Sequence, residues 1–352
     1  MIYDKEPRKR LNLNLKNRQR RPARSTKKLI LQLSLLNSMK KSVILLLLLL
    51  TLIVSACSGI KGGDGPRDTA ALIKEVQSGT QGVEVSLLPN FPPDQIYDQS
   101  ELTTIVEIKN KGNHDLQPQE CFLQVTGFDP QIISGDINAP RSCADGVGTL
   151  EGKNIYNTQG GFNQIEFSST NTQLPTDVFE YNPTLNFLTC YHYQTKASPS
   201  VCVDPQFYQV TAEQKTCTPN NVGLGGGQGA PVAITNIGVD MVGRKAIFEI
   251  NIANQGTGRV LSPNTDIRSC GGPSLSRLDL DQVNYLFDLS GGSQIDCKPR
   301  DGFVRLNNGQ GKIICSFDIN GNSAFQTPLQ VTLDYNYVQS FTKQIRIIKT
   351  PE

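Results

Sequence analysis

Histidines are the first residues to consider for chemistry in this sequence, and there are two, His114 and His192. A Ser-His-Asp or Cys-His site needs a histidine beside its nucleophile. His114 stands in the polar turn KGNHDL, which predicts a solvated side chain. His192 alternates with Tyr191 and Tyr193 on a strand, which predicts a surface or edge position. No Gly-x-Ser-x-Gly motif occurs. We therefore expect no enzyme activity and no catalytic residue.

Carboxylates and tyrosines are the next candidates. Glycoside hydrolysis needs two carboxyl groups that flank one bond, and no pattern singles out such a pair. Asp279 and Asp281 would share one face of a strand, where Ca²⁺ could bind, but a solvated strand face is the simpler interpretation. Packing in the core and at strand edges explains the tyrosines better than a sugar-binding platform does. We therefore predict no cofactor and no metal site.

The cysteines favour disulfide bonds over metal binding. No Cys-x-x-Cys pair occurs, and neither histidine recurs at a ligand spacing. Eight of the nine cysteines follow Cys57, and an even number after an export signal is typical of disulfides in an oxidising compartment. The predicted pairs are Cys297–Cys315, Cys190–Cys202, Cys121–Cys143 and Cys217–Cys270. An alternative pairs Cys202 with Cys217.

Residues 39–57, MKKSVILLLLLLTLIVSAC, predict a signal for export and membrane attachment. Two lysines precede an apolar run of 12 residues, as in a signal peptide. The run ends in Val54-Ser55-Ala56-Cys57, which resembles the lipobox of lipoprotein signal peptides, and the resemblance implies that Cys57 carries a lipid. An uncleaved signal-anchor helix is the alternative, because residues 43–60 contain no charge. Both interpretations predict a membrane-anchored protein whose body, residues 57–352, faces the outside of the cell.

Charge divides the chain at the same segment. Residues 1–56 carry 13 Lys/Arg and two Asp/Glu, whereas the remainder carries 21 and 30. Because nucleic-acid binding needs a basic face, the acidic body predicts no nucleic-acid partner. Residues 1–38 predict a basic disordered leader, with the true start at Met1 or Met39 left open. Residues 58–79 predict a flexible spacer, with a short helix over 68–77.

A faint repeat at an offset of 144 residues organises the body. LTTIVEIKNKGNHDL (102–116) aligns with AIFEINIANQGTGRV (246–260), and the segment YHY (191–193) aligns with YNY (335–337). Alternating apolar residues predict a strand with one buried face. The Asn-x-Gly that follows predicts a turn in which Gly112 and Gly256 supply a positive φ. We therefore predict two homologous domains, 80–218 and 232–350, joined by a Gly-rich linker at 219–231.

Ten short strand patterns fill the two copies, and no body stretch of 12 or more residues shows a helical period. The patterns are VEVSLLP, TTIVEIKN, CFLQVTG, NQIEFSS, LTCYHYQT, VAITNIGV, AIFEINIAN, VNYLFDLSG, KIICSFDI and LQVTLDYNYV. Copies made of strands alone predict an all-β fold of two tandem immunoglobulin-like β-sandwiches.

The segments VEIKNKGNHDL (106–116) and INIANQGTGRV (250–260) resemble CARDB-like immunoglobulin-fold modules of prokaryotic, archaeal-type cell-surface lipoproteins. The resemblance covers about 35 residues at the front of each copy, and insertions such as 127–163 and the eight cysteines depart from it. It implies a cell-surface protein with a non-catalytic binding, adhesion or envelope-structural role. Its partner would be a surface protein or a glycan.

Two other functions stay open. A carbohydrate- or solute-binding lipoprotein, or a glycan-active enzyme, would have a pocket lined by several carboxylates and tyrosines. A filament or sheath subunit that assembles by strand donation would hold residues 80–90 away from their own sheet.

Overall fold

Side chains alternate between buried and more exposed positions along the strands. In the strand Thr103–Asn110 every second residue is fully buried, from Thr104 to Asn110. Burial with a period of two is what a strand with one face on a core requires. The computed structural model describes residues 69–210, 214–269 and 275–351. Strands are the dominant regular element in these ranges, so the predicted all-β fold is confirmed.

The described residues before 211 contain one α-helix and eleven strands. The helix α1 spans Thr69–Val76, within the predicted helix. The strands are β1 Val83–Leu87, β2 Gln95–Tyr97, β3 Thr103–Asn110, β4 Cys121–Thr126, β5 Ile133–Ser134, β6 Arg141–Ser142, β7 Phe162–Ser168, β8 Asn171–Thr172, β9 Glu180–Tyr181, β10 Thr184–Ala197 and β11 Ser200–Val203. A 3-10 helix spans Asp136–Asn138.

The described residues after 213 contain ten strands and a 3-10 helix at Arg277–Asp279. The strands are β12 Val222–Gly223, β13 Val232–Val242, β14 Lys245–Asn254, β15 Arg259–Leu261, β16 Gln282–Leu289, β17 Gly292–Lys298, β18 Phe303–Arg305, β19 Gln310–Ile319, β20 Phe325–Gln344 and β21 Arg346–Ile348. Each of the ten predicted strand patterns overlaps an observed strand.

The two halves of the chain share one large sheet. Its strand order is β18-β16-β20-β10-β4-β6, with β11 and β15 also paired to β20. Each half adds an outer sheet, β1-β3-β7 in the first and β12-β13-β14-β19-β17 in the second. Tyrosine side chains join the layers, since the Val83 N–H donates to Tyr191 Oη at 3.4 Å and the Val232 N–H donates to Tyr335 Oη at 3.1 Å.

The central pair of strands, β10 and β20, comes from different halves. They run antiparallel along all 14 residues of β10, and His192 lies opposite Asn336. Asn336 is also the residue that aligns with His192 in the sequence repeat. A local pseudo-two-fold axis therefore passes through this residue pair, and it relates the two central strands to each other.

Further contacts tie the halves into one compact unit. The last strand, β21, pairs in parallel with β2 and antiparallel with β9, which both belong to the first half. Buried apolar side chains from both halves form a single contiguous core. The division into two homologous domains, 80–218 and 232–350, stays a prediction. The two halves share one sheet and one core and do not form two separate units.

The predicted Gly-rich linker at 219–231 is packed against other parts of this unit. Ala230 is fully buried, and β12 lies inside the segment. The Gly229 N–H donates to the Gly79 carbonyl oxygen at 2.8 Å, and the Gly229 carbonyl oxygen accepts the Asn113 N–H at 2.9 Å. Gly229 has a φ of 67°, which lets the backbone turn against these partners.

Three disulfide bonds are described. Cys121–Cys143 and Cys297–Cys315 are two of the predicted pairs, and Cys202–Cys217 is the predicted alternative. Cys190 is disulfide-bonded as well. The predicted pair Cys217–Cys270 is wrong because Cys217 bonds to Cys202, and Cys270 lies outside the described residues.

The predicted pair Cys190–Cys202 is wrong because β10 and β11 do not form a hairpin. Ala197 lies opposite Val331 of β20, and Ser200 lies opposite Pro328, so β11 continues along β20 in the direction of β10. Twelve residues of extended chain span about 40 Å, far more than a disulfide can bridge.

In the part of the chain that the structure describes, every helix is too short or too polar to span a membrane. The predicted leader (1–38), the segment 39–57 with Cys57, and residues 58–68 of the predicted spacer lie outside the described residues.

Candidate functional site

A buried tyrosine holds the Asn-x-Gly turn of the first half. Tyr193 Oη donates to Asn110 Oδ1 at 3.0 Å and accepts the His114 backbone N–H at 3.4 Å. The Asn110 side chain closes the turn, because its Nδ2 donates to the His114 carbonyl oxygen at 2.7 Å and its Oδ1 accepts the Gly112 N–H at 3.3 Å. A strand of the shared sheet thereby fixes the loop that follows a strand of the outer sheet.

The second half repeats the same contacts. Tyr337 Oη donates to Asn254 Oδ1 at 3.0 Å and accepts the Gly258 N–H at 2.8 Å. Asn254 Nδ2 donates to the Gly258 carbonyl oxygen at 2.9 Å, and Asn254 Oδ1 accepts the Gly256 N–H at 3.2 Å. Every partner lies 144 positions after its counterpart. The faint sequence repeat therefore preserves one hydrogen-bonded unit, the tyrosine-held turn.

The glycines of these turns are required by close contact, which corrects the expected positive φ. Neither Gly112 nor Gly256 has a positive φ. A Cβ atom on Gly112 would lie 1.8 Å from Tyr193 Oη, and one on Gly256 would lie 2.4 Å from Tyr337 Oη. Only a residue without a side chain lets the tyrosine hydroxyl approach the turn this closely.

Tyr193→Phe and Tyr337→Phe should lower the free energy of unfolding of the protein by similar amounts. Tyr193→Phe and Tyr337→Phe each leave a backbone N–H and an asparagine Oδ1 without that partner, which should cost about 1–3 kcal/mol. Urea unfolding measures the loss, with Tyr156→Phe as control because Tyr156 is 94% exposed. Equal free energies of unfolding for the three variants would contradict the assigned role of the hydroxyls.

The central tyrosines belong to the core, as the sequence predicts. Tyr191, Tyr193, Tyr335 and Tyr337 are each at most 1% exposed, which leaves no sugar-binding platform on them. Burial raises the pKa of all four hydroxyls, that of Tyr337 to about 12. All four hydroxyls are therefore protonated at neutral pH.

His192 lies at the pseudo-two-fold axis, on a central strand, so the predicted surface or edge position is wrong. Its Nδ1 lies 3.0 Å from Asn336 Oδ1, and its Nε2 lies 3.1 Å from Asp334 Oδ1. Asn336 Nδ2 donates to the carbonyl oxygens of Ser262, Pro263 and Thr265, which fixes Oδ1 as the atom that faces the ring. Both ring nitrogens therefore face acceptors, and the arrangement favours an imidazolium ion.

The charges of this pair stabilise one another. The hydrogen bond to Asp334 raises the pKa of His192, against burial, which lowers it. Burial opposes ionisation of Asp334, but hydrogen bonds from His192 and Gln194 outweigh it and lower its pKa. Gln194 Nε2 donates to Asp334 Oδ1 at 2.9 Å. The pair is thus an internal salt bridge between the two halves of the chain.

His114 is half-buried beside this pair, so the predicted solvated turn is wrong for its side chain. Its ring lies edge-on to Tyr193 at 5.3 Å and to His192 at 5.9 Å between centroids. Its Nε2 is buried and has no hydrogen-bond partner among the described residues. Burial lowers the pKa of His114; the nearby charge of Glu120 opposes this, and that of His192 adds to it. As the pH rises, His114 therefore loses its proton before His192 does.

Opposite pH profiles should distinguish the two histidines. His192 has a raised pKa in the folded state, so its stabilising effect is full below about pH 6.5 and is lost as the pH rises through that raised value. Asp334 has a lowered pKa, so its effect is present above about pH 4 and is lost as the pH falls through that value. Wild-type protein should exceed His192→Asn in free energy of unfolding most between about pH 4 and 6.5.

For His114 the sign reverses, because protonating a buried base costs stability. Wild-type protein should lose stability relative to His114→Asn as the pH falls below about 6.5. Urea unfolding across pH, in the presence of EDTA, measures both differences. The same pH slope for both variants would contradict these charge assignments.

The structure brings together three potential metal ligands that the sequence did not connect. Donor atoms of His114, Glu120 and His192 all lie within 4.8 Å of one another. The backbone N–H of His192 donates to the backbone carbonyl oxygen of Glu120 at 2.8 Å, which holds Glu120 beside His192. His114 and His192 are 78 positions apart, so no local ligand spacing exists. The contact depends on Tyr193 of β10, which holds the turn after β3, and no sequence pattern reports that contact.

The aspartates near β16 are not gathered into a site. The Asp279 carboxylate accepts the Ser276 N–H at 2.8 Å and caps a 3-10 helix, so it does not lie on a strand. Asp281 pairs with Arg259 at 2.9 Å, and β16 begins only at the next residue. Asp288 is an exposed residue of β16. Each of the first two carboxylates thus already has a structural partner.

Comparison with known proteins yields no assignment. No family model matches the chain, and no curated protein matches it. One solved structure with some likeness is the secreted serine protease VesC from Vibrio cholerae, at 12% identity and a TM-score of 0.18 over 74% of this chain. The match spans about half, 51%, of the length of that structure. A likeness of this size supports no conclusion about fold or activity.

Proposed function

We propose that this chain is a membrane-anchored cell-surface protein with a non-catalytic binding, adhesion or envelope-structural role. The observation that carries the proposal is the set of disulfide bonds in a body that follows a predicted export segment. Disulfides persist in oxidising compartments and are rare in the cytosol. The bonds therefore support an outward-facing body.

The anchor rests on residues 39–57. A lipid on Cys57 or an uncleaved helix would each make the membrane the first partner of the protein. The acidic charge of residues 57–352 supports a protein or glycan as further partner, rather than nucleic acid.

The surroundings of the histidines support a non-catalytic role. His192 and Asp334 resemble the acid–base half of a catalytic triad, but the other ring nitrogen faces the Asn336 amide instead of a hydroxyl or thiol nucleophile. The position that a nucleophile would need is thus filled by a residue that is itself bonded to three backbone carbonyls. This arrangement supports a structural role for the His192–Asp334 pair.

The architecture supports a role in presenting surfaces. The shared sheet carries two outer sheets, of three and five strands, within one compact unit, which suits a module that must keep its shape outside the cell. Strand donation by residues 80–90 receives no support, because β1 pairs with β3 of its own sheet.

A carbohydrate-binding role is the second candidate, and two cavities among the described residues give it little support. A cavity of about 330 Å³ beside β1 is lined by Tyr191, Tyr337 and Phe341, with Glu84 as its carboxylate among the described residues. A cavity of about 400 Å³ near α1 is lined by His114, Lys153 and Lys196. Neither lining combines several carboxylates with tyrosines, which the glycan interpretation requires.

Labelling of intact cells tests the proposal. A membrane-impermeant amine-reactive reagent should modify exposed lysines such as Lys74 on cells that produce the protein, while a cytosolic protein stays unlabelled. Labelling only after cell lysis would refute the outward orientation. Mass spectrometry of the membrane-extracted protein then separates the anchors, since lipidation predicts an amino terminus at lipid-modified Cys57 and a signal anchor predicts intact residues before it.

A further inference from the structure

We infer that His114, Glu120 and His192 form a binding site for a divalent transition-metal ion such as Zn²⁺ or Co²⁺. Two imidazoles and one carboxylate are ligand types that these ions accept. Their donor atoms lie within 4.8 Å of one another. Two ligands of a tetrahedral Zn²⁺ ion lie about 3.3 Å apart, so binding requires the donor atoms to approach one another by up to about 1.5 Å.

The backbone around the three ligands is well fixed, which limits the contraction to side-chain rotation. The His114 turn is held by Asn110 and Tyr193, and Glu120 is bonded through its carbonyl oxygen to the His192 N–H. The Glu120 carboxylate is half-buried and is held through Oε2, which accepts the Gln117 N–H at 2.8 Å.

The buried Nε2 of His114 is the observation that points to a ligand. It has no hydrogen-bond partner among the described residues, although it is shielded from solvent. Buried polar atoms without partners are uncommon, and each calls for an explanation such as a bound ion. The neutral state that burial favours for this ring is also the state that binds a metal.

The hydrogen-bond acceptors beside His192 suit it as a metal ligand. If Nε2 binds the ion, its contact with Asp334 is replaced and Nδ1–H still donates to Asn336 Oδ1. If Nδ1 binds the ion, its contact with Asn336 is replaced and Nε2–H still donates to Asp334. Metal-bound histidines commonly have such an acceptor on the second nitrogen, which fixes the ring orientation. In either case the ion replaces one proton of the imidazolium, and that proton passes to solvent.

The second half of the chain lacks this site. Gly258 replaces His114 at the equivalent turn, and Asn336 replaces His192 on the equivalent strand. The duplicated fold therefore does not need these histidines, which the tyrosine-held turn of the second half shows by forming without them. The site should bind one ion per chain.

Metal titration of the full-length, detergent-extracted chain tests the inference. After removal of metals with a chelator, Co²⁺ alone should bind with a stoichiometry of one and give the visible absorption of a four-coordinate ion, and Zn²⁺ should displace it. His114→Ala, Glu120→Gln and His192→Asn should each weaken binding at least tenfold, since loss even of outer partners costs 10–100-fold.

Glu101→Gln is the matched control, because Glu101 is an exposed carboxylate outside the cluster and its loss should leave binding unchanged. Thermal unfolding in EDTA shows whether each variant folds, and Glu120→Gln keeps the test valid if a histidine variant does not. Absence of stoichiometric binding, or binding that survives both His114→Ala and Glu120→Gln, would overturn the inference.

Discussion

Replacing Gly112 with alanine should destabilise the protein more than the equivalent replacement of Gly256 in the second tyrosine-held turn. The added Cβ would lie 1.8 Å from Tyr193 Oη, 2.4 Å from the Gly229 carbonyl oxygen and 2.8 Å from the Gln81 carbonyl oxygen. Two of these atoms are backbone, so a side-chain rotation cannot relieve the overlap. Overpacking of this kind costs about 1–3 kcal/mol and occasionally more, and we expect about 3 kcal/mol or more here.

Urea unfolding of Gly112→Ala beside Gly223→Ala measures this effect. Gly223 is the matched control, because a Cβ added there meets no atom within 4 Å, and its replacement should change the free energy of unfolding by no more than about 0.5 kcal/mol. Gly256→Ala should also be costly, since the same tyrosine-held turn exists in the second half. If Gly112→Ala and Gly223→Ala were equally stable, the close contact of turn and tyrosine would be disproved.

Reduction of the disulfide bonds should unfold most of the body. The bonds close loops with sequence separations of 22, 15 and 18 residues. In the chain-entropy model each loop of this size contributes about 3 kcal/mol, so the three together contribute about 9 kcal/mol. A folded protein has about 5–15 kcal/mol of total stability, and loss of this contribution leaves little.

Thermal unfolding with and without a reductant measures the effect, and a fall in Tm of tens of degrees is expected. Cys202→Ala/Cys217→Ala, which removes one loop alone, should lose about 3 kcal/mol and still fold. A Tm that reductant does not change, in protein shown by mass spectrometry to have free thiols, would contradict a stabilising role for these bonds.

Strand positions were predictable from the sequence because they depend on local alternation. The pattern TTIVEIKN corresponds to β3 residue for residue, and KIICSFDI lies wholly within β19. The repeat was visible for the same reason, since its strand and Asn-x-Gly turn occupy one contiguous segment in each half.

Pairing between the halves was not predictable in this way. The alternation of β10 and β20 shows that each has a buried face, but the identity of the neighbour depends on contacts about 140 positions apart along the chain. The same limit explains the error for Cys190 and Cys202. Their spacing suits a hairpin. Only the pairing of both β10 and β11 with β20 shows that the chain continues in the same direction instead of turning back.

The candidate site was missed because its members are ordinary when taken singly. A histidine in a polar turn predicts solvation, and only Tyr193, from a distant strand, brings His114 against His192. The reason for Gly112 also lies outside its own turn, in the Tyr193 hydroxyl. Sequence patterns report which face of an element is buried, whereas these contacts depend on which element covers it.

The disulfide state of the protein in intact cells tests the outward-facing, disulfide-bonded body most directly. Cells are treated with a permeant thiol-alkylating reagent before lysis, and the unreduced protein is digested and analysed by mass spectrometry. We expect linked peptides that contain Cys121–Cys143, Cys202–Cys217 and Cys297–Cys315. Alkylated, unlinked cysteines at these six positions would show a reduced body inside the cell and would contradict the account.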